Sequence, residues 1–299
     1  MRHNQILWPL VVVQRDEDNR LSHCAIRWAA TPPLTPLTAI PRPSGHAVHL
    51  ILSGPSIADI DYEKISIESA MGVNGSIALL EKFPRLEFSY YAMLDAGFVC
   101  RRKELVAEVL ARNLLLFVTP EVLRWITLLF PAQAIRCRIA VFEEVHHRAN
   151  LARPSPAQLL NDLQNDPDLI LFDAHNSEHA HGFSLDVTRG VFGGGTVAYT
   201  ALQFLTWLGF QEIYLHGLDL RNANNLPRFY EDPNARLSTA LERQFAGHIE
   251  PAFRRASLLL QSRGVKVYNL PPDSALDTEI FQKIHWTQLC KTEDTDVVS

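Results

Sequence analysis

An α/β fold built on a mostly parallel sheet with helices against it follows from three features of the sequence. One crossover unit is complete: Gly193-Gly194-Gly195-Thr196 opens the run VAYTALQFLTWLG at 197–209, and IYLHGLDL at 213–220 follows as a strand. Ala198, Ala201, Leu202 and Leu205 recur there at helical spacing and Gly209 stops the helix, which is the order a parallel crossover needs. Second, strand-like runs end repeatedly in a small or polar residue, at Ser53, Asn74, Asp95, Asp219 and Asn269. In a parallel sheet such ends converge on one edge, where open α/β folds bind ligands. Third, 299 residues with 47% hydrophobic and 20% charged leave room for one large domain with a sizeable core.

Taken in order, residues 1–31 predict two short strands around a charged turn at Asp16–Asn19. Pro32, Pro33, Pro36, Pro41 and Pro43 make a stiff linker, so 1–45 reads as an N-terminal appendage laid on the main domain. Val48–Leu52 is strand-like, Ile57–Ile65 a short helix or turn, and Ala70–Val73 a strand ending at Asn74-Gly75-Ser76. Ser89–Met93 is a strand closing on Asp95, Arg102–Arg112 has helical spacing, and Leu115–Val118 is a strand stopped by Thr119-Pro120. Ile135–Phe142 alternates with basic residues, Glu143–Ser155 is polar and histidine-bearing, and Leu169–Phe172 is a strand run ending at Asp173. Beyond the crossover unit, Arg236–Gln261 is largely helical with breaks near Gly247 and Pro251, and Val265–Leu270 is a strand before Pro271-Pro272-Asp273-Ser274. The main domain is expected over 46–280, with a lid or acceptor-binding part within 96–190. A tail follows over 281–299, ending in the polar, disorder-prone KTEDTDVVS.

Composition narrows the function. A formal charge of -5 supplies no basic face for nucleic acid. The four cysteines, Cys24, Cys100, Cys137 and Cys290, lie far apart, which argues against a zinc or disulfide framework. The opening segment lacks the apolar stretch of a signal peptide, and no 18 apolar residues run together. A cytoplasmic protein is expected, with peripheral contact at the inner membrane left open, as is a homo-oligomer.

Ser53-Gly54-Pro55-Ser56 reads either as a plain turn or as a loop that sets N–H groups and hydroxyls against a phosphate; the spacing is not a P-loop, and G-x-G-x-x-G does not occur. Asn74 is a turn residue suited to left-handed backbone, or a carboxamide that pairs with a base or sugar. Gly193 to Thr196 is a close-packed helix start, or a helix N-terminus open to an anion. His146-His147 and His175, His179 and His181, with Asp173 and Glu178 beside them, admit a metal reading, but the setting favours ordinary surface histidines on a loop. His248, in Phe-Ala-Gly-His, is a helix-junction residue or a general base with a near-neutral pKa.

These segments resemble a known family. SGPSIADIDY at 53–62, GVNGS at 72–76, LGFQEIYLHGLDL at 208–220, FAGH at 245–248 and YNLPPDSAL at 268–276 are similar, in order, to the motifs of small bacterial CMP-sialic-acid-dependent sialyltransferases. FGGGTVAYTALQFL at 192–205 resembles instead the motility-associated flagellin glycosyltransferases and the 6-hydroxymethylpterin pyrophosphokinases. The middle, 96–190, matches neither well. The resemblance implies a modified Rossmann-like domain of the GT-A-type variant. It also implies a keto-acid sugar, of sialic acid or Kdo type, passing from a CMP-activated donor to a surface glycan or lipooligosaccharide core acceptor, with inversion and without metal or other cofactor.

By that resemblance Ser53 and Gly54 would lie at the nucleotide phosphate and ribose, with Pro55 and Ser56 also in the donor site. Asn74 would bind the cytidine or sugar portion, and Asp95 would face the donor where that family has asparagine. Gly194, Gly195, Thr196, Asp219 and Ser274 would complete the donor site, and His248 would take the acceptor proton. The chain departs from the sialyltransferase pattern at Ser53, where that family has asparagine, and at Phe245 and Arg221, where it has tyrosines. Tyr230 would then serve as the remaining tyrosine. Arg221 would offer its planar fork to the departing phosphate or a donor carboxylate. Two alternatives stand beside this reading: a pyrophosphokinase-like transferase with Mg²⁺ held by Asp95, Asp173 or Asp219, and a non-catalytic module that keeps the fold.

Overall fold

The N-terminal strands form as expected: β1 (Val11–Arg15) and β2 (Leu21–Ile26) make an antiparallel hairpin around the charged turn. In the computed structural model, residues 10–43, 45–173, 181–221, 226–232 and 239–291 are described; His175, His179, Glu178 and the last residues of the acidic tail lie outside them. β3 (Ala47–Ile51) and β4 (Ala70–Val73) follow, then α1 (Leu79–Lys82) and β5 (Tyr90–Met93). Asp95 closes β5 and accepts the Gly97 N–H, capping α2 (Ala96–Arg101), which leads into α3 (Lys103–Leu110). Thr119-Pro120 ends β6 (Leu115–Val118) and also starts α4 (Pro120–Leu129), the threonine as cap and the proline where its missing N–H costs nothing. β7 (Arg138–Val141) is shorter than the alternating run around it.

Ser155 and Gln158 form a capping box that opens α5 (Pro156–Leu163), and β8 (Leu169–Asp173) pairs antiparallel with β9 (His181–Ser184). The crossover unit is α6 (Val197–Leu208), capped by Thr196 and ended by Gly209 at φ +98, then β10 (Glu212–His216). The expected breaks in the next helix resolve into α7 (Leu241–Gln244), a π-turn over Phe245–Ile249, and α8 (Glu250–Ser262). Pro251 sits in the first turn of α8 and breaks nothing. β11 (Lys266–Asn269) and β12 (Gln282–Lys283) complete the fold, so the first residues of the expected tail join the sheet.

Eight strands form one parallel sheet in the order β12-β11-β10-β3-β4-β5-β6-β7. The chain runs outward from β3 to β7, then returns through α6 to the other side of β3. Between β3 and β10 the direction of winding reverses, the switch point at which open parallel sheets leave a crevice. Residues 96–141 extend the sheet through β6 and β7, while α5 and the β8–β9 hairpin lie outside it.

Both faces of the sheet are covered, and its strands are apolar on both sides for that reason. Val48 and Leu50 point to one core with α5, β9, α6 and α8; Ile51 points to another with α3, α4 and the β1–β2 hairpin. The hairpin is stapled to the body by Arg15, which reaches the buried Glu143 carboxylate through two bonds of 2.5 and 2.8 Å. A polar chain crosses the second core. His49 Nδ1 lies 2.9 Å from His216 Nε2, and His216 Nδ1 lies 3.2 Å from the Tyr62 hydroxyl. Burial pushes His49 down to about 4 and His216 well below the ordinary histidine value, so both rings are neutral.

Candidate active site

The crevice at the switch point holds a cavity of about 330 Å³ lined by the loops after β3, β4, β5 and β10, by the start of α6, and by Leu226, Arg228, Thr239 and Leu241. Nine of the residues singled out from the sequence line it: Ser53, Gly54, Pro55, Asn74, Asp95, Gly195, Thr196, Asp219 and Arg221. Four of the five polar strand endings therefore meet at one place. Asn269 is the exception, since it is fully buried and away from the cavity wall.

The loops after β3 and β10 are locked together. The Gly54 N–H donates to the Gly217 carbonyl at 3.1 Å, and Ser56 donates its hydroxyl to Asp219 Oδ2 at 2.9 Å and its N–H to Oδ1 at 3.3 Å. A Cβ on residue 54 would stand 1.9 Å from Asp219 Oδ2 and 2.5 Å from the Gly217 carbonyl oxygen, so close approach is what requires the glycine. Ser56 thus serves the site through Asp219 and is not itself on the cavity wall. Burial raises the Asp219 pKa, and the two bonds from Ser56 oppose that rise. Leu220, next along, holds φ +56, a left-handed conformation that a bulky residue adopts only under constraint.

Asn74 also has positive φ, +45, as its place at the strand end allows. Its backbone is fixed by Tyr91, whose hydroxyl donates to the Asn74 carbonyl at 2.7 Å and accepts the Ile77 N–H at 2.9 Å. The buried Asn74 side-chain oxygen has no partner among the described residues and is open to a donor from water or a bound molecule. Thr196 spends its hydroxyl on the Tyr199 N–H. That leaves the first N–H groups of α6, on Val197 and Ala198, at the cavity wall and favourable to an anion.

Two cations line the cavity. Arg228 is held by Glu231, with Nη1 2.8 Å from Oε1, and Arg102 shares the same carboxylate at 3.9 Å. Arg221 is exposed and makes no ion pair or hydrogen bond among the described residues. Asp95 faces the cavity while capping α2, with Arg101 3.7 Å away.

His248 stands just behind this wall. It lies on the π-turn, and its Cδ2 would be 2.9 Å from a Cβ on Gly195, which lines the cavity at φ +74. His248 Nδ1 is 2.6 Å from Nε2 of His181 on β9. His181 corrects a sequence expectation: it is not on a surface loop but on a strand, only 6% exposed. His146 departs from the surface reading too, being equally buried and 3.5 Å from Glu144.

Three further expectations are placed elsewhere. Gly194 is needed for packing, because a Cβ there would fall 2.3 Å from the Tyr199 ring. Ser274 is buried and donates its hydroxyl to the Leu218 carbonyl at 2.6 Å, so it braces the loop after β10 from behind. Tyr230 lies under Gly75 and edge-on to Phe98 and Phe229, and burial pushes its hydroxyl up to about 12. The sequence offers His181 only as a metal candidate or a surface histidine, and gives no signal for Arg228, which stands in no motif and at no strand end.

The family model described as 3-deoxy-D-manno-octulosonic acid transferase WaaZ matches residues 40–287, most of the chain and all of the cavity. The chain belongs to that family. This Kdo transferase family member is therefore a glycosyltransferase of keto-acid sugars. A solved structure of the sialyltransferase CST-II in complex with trisaccharide acceptor and CMP is similar at 10% identity and a TM-score of 0.34, over 82% of this chain and 88% of that one. No curated protein matches the transferase. No helix among its described residues is long and apolar enough to cross a membrane.

Proposed function

We propose that the protein transfers Kdo from a CMP-activated donor to a lipopolysaccharide core acceptor, with inversion, and that His248 is the general base. The observation that carries this reading is the convergence of Ser53–Gly54, Asn74, the α6 N-terminus and Arg221 on one cavity, with His248 at its Gly195 wall. The nucleotide side of the donor sits against Asn74 and the loop after β3. The phosphate faces the free N–H groups of α6 and the Arg221 guanidinium, both complementary to an anion. The acceptor oxygen attacks the anomeric carbon from the face opposite the phosphate. Its proton passes to Nε2 of His248, while the bond to the phosphate oxygen breaks and the electron pair leaves with CMP. Arg221 stabilises charge that grows on the phosphate as that bond breaks, so it acts mainly on the transition state. Neither step calls for a metal ion, and the acceptor is met transiently at the membrane surface.

The test is a transfer assay with CMP-Kdo, CMP-sialic acid and a UDP-sugar, each with and without Mg²⁺, on core oligosaccharide acceptor. Metal-independent transfer from CMP-Kdo is expected, falling by about 10²- to 10⁴-fold in kcat for His248→Ala. Arg221→Ala is expected to lower kcat by about 10²-fold with a smaller change in donor KM. Full turnover by the His248→Ala enzyme would remove the base assignment, and transfer from the UDP-sugar alone would remove the donor.

A further inference from the structure

We propose that His181 is the positioning residue of His248, holding it in the tautomer whose Nε2 carries the lone pair toward the cavity; this rests on the reading of His248 as base. The two rings have centroids 4.7 Å apart and planes 28° apart, with the nitrogens at 2.6 Å. That is two imidazoles joined edge to edge through one N–H···N bond. Because the His248 end of the bond is Nδ1, its other nitrogen, Nε2, lies on the opposite side of the ring, next to the Cδ2 that borders Gly195.

With both rings neutral, one hydrogen occupies the bond and two tautomer pairs exist. If His181 donated it, His248 would carry its proton on Nε2 and could not accept another there. If His248 donates from Nδ1, Nε2 is ready, and His181 Nε2 is the acceptor. The second pair also suits the step itself. When Nε2 takes the acceptor proton, His248 becomes an imidazolium with two N–H groups, and the bond to neutral His181 becomes charge-assisted and stronger. One proton arrives at Nε2, and none has to leave the pair during transfer.

The scaffold holds His181 firmly. The Tyr199 hydroxyl donates to the carbonyl of Gly182, next to it on β9, at 2.7 Å. At the far end of the strand, the Ser184 N–H donates to Gln203 Oε1 at 2.9 Å. Both anchors come from α6, the helix whose first turn lines the cavity. Positioning of His248 and the cavity wall therefore share one element.

The first measurement is ¹⁵N NMR of histidine-labelled wild-type protein, with the His248 ring signals identified by their loss in His248→Ala. A protonated Nδ1 and bare Nε2 on His248 are expected; the reverse tautomer would overturn the proposal. The second is steady-state transfer from CMP-Kdo. His181→Phe is expected to lower kcat by about 10- to 100-fold with donor KM unchanged, and His181→Gln, whose amide oxygen can accept from Nδ1–H, to recover most of it. Full kcat in His181→Phe beside an inactive His248→Ala would overturn the proposal while leaving the base in place. Full kcat in His248→Ala would remove the base and the proposal together. Should His181→Phe not fold, the tautomer of the wild-type protein decides.

Discussion

The two sides of the cavity are built on different principles. On the sheet side, Ser53, Asn74, Asp95 and Asp219 stand where parallel strands end, and main-chain bonds such as Gly54 N–H to Gly217 hold the loops together. On the histidine side, nothing comes from the main sheet. His181 lies on a two-stranded ribbon outside it and His248 on a π-turn, and they meet where β9 packs against α6 and α8. The difference teaches that a strand end positions a residue through topology, whereas the histidine pair depends on a few buried side chains. The sheet side should accordingly tolerate the loss of side-chain bonds but not of close approach. The histidine side should behave in the opposite way.

The largest expected effect tests the histidine side through Gln203, which is fully buried in α6. Its oxygen accepts the Ser184 and Phe192 N–H groups, each at 2.9 Å, and its nitrogen donates to the Phe192 carbonyl at 2.8 Å. In Gln203→Leu those three main-chain groups lose their partner in the core, a cost of about 4 kcal/mol given the usual 1–3 for each. Urea unfolding would read that loss, and transfer should collapse while calorimetry at low temperature still registers CMP binding. Equal loss of both would erase the distinction between the two sides. Next in size is Gly54→Ala, on the sheet side. Its new methyl meets Asp219 and the Gly217 carbonyl, so the two loops must part. Transfer should fall by about 100-fold, equivalent to about 2.7 kcal/mol, with CMP affinity reduced and the melting temperature lowered as the bond between Gly54 and Gly217 is strained. Unchanged CMP affinity would show that these loops do not hold the nucleotide.

The same division explains what could be read from the sequence. A strand that ends in Ser-Gly, Asn-Gly or Asp announces itself within a few residues; short apolar runs bounded by turn residues place β4 and β6, and helical spacing places α6, to the residue or nearly so. The pairing of His181 with His248 spans 67 positions, and no local pattern encodes it. The polar context of His181 instead pointed to a loop, because a four-residue strand leaves little periodicity to see. Helices α2, α4 and α5 were missed for a related reason: their caps, Asp95, Thr119 and Ser155, also read as strand or loop endings. Ser274 and Gly194 stand off the cavity wall, held by a bond to Leu218 and a contact with Tyr199, and no local pattern distinguishes such contacts from ligand contacts.

The smallest effect concerns the sheet beneath the cavity, where His49 on β3 meets His216 on β10 at the switch point. Both rings are neutral in the folded protein, while in the unfolded chain they protonate near 6.5. The folded value of His49 is lowered, so its contribution to stability is present above pH 6.5 and is lost as pH falls from there toward about 4. Between pH 7 and pH 5, His49 alone should remove about 2 kcal/mol of unfolding free energy, and His216 acts in the same direction. Replacing the pair by His49→Phe with His216→Leu should flatten that part of the profile, even though it strands the Tyr62 hydroxyl and lowers stability at every pH. Urea unfolding at pH 7, 6 and 5 for both proteins gives the slopes. An unchanged slope in the double variant would show that this pair does not set the acid sensitivity, and would point to other histidines such as the half-buried His147, whose pKa burial also lowers.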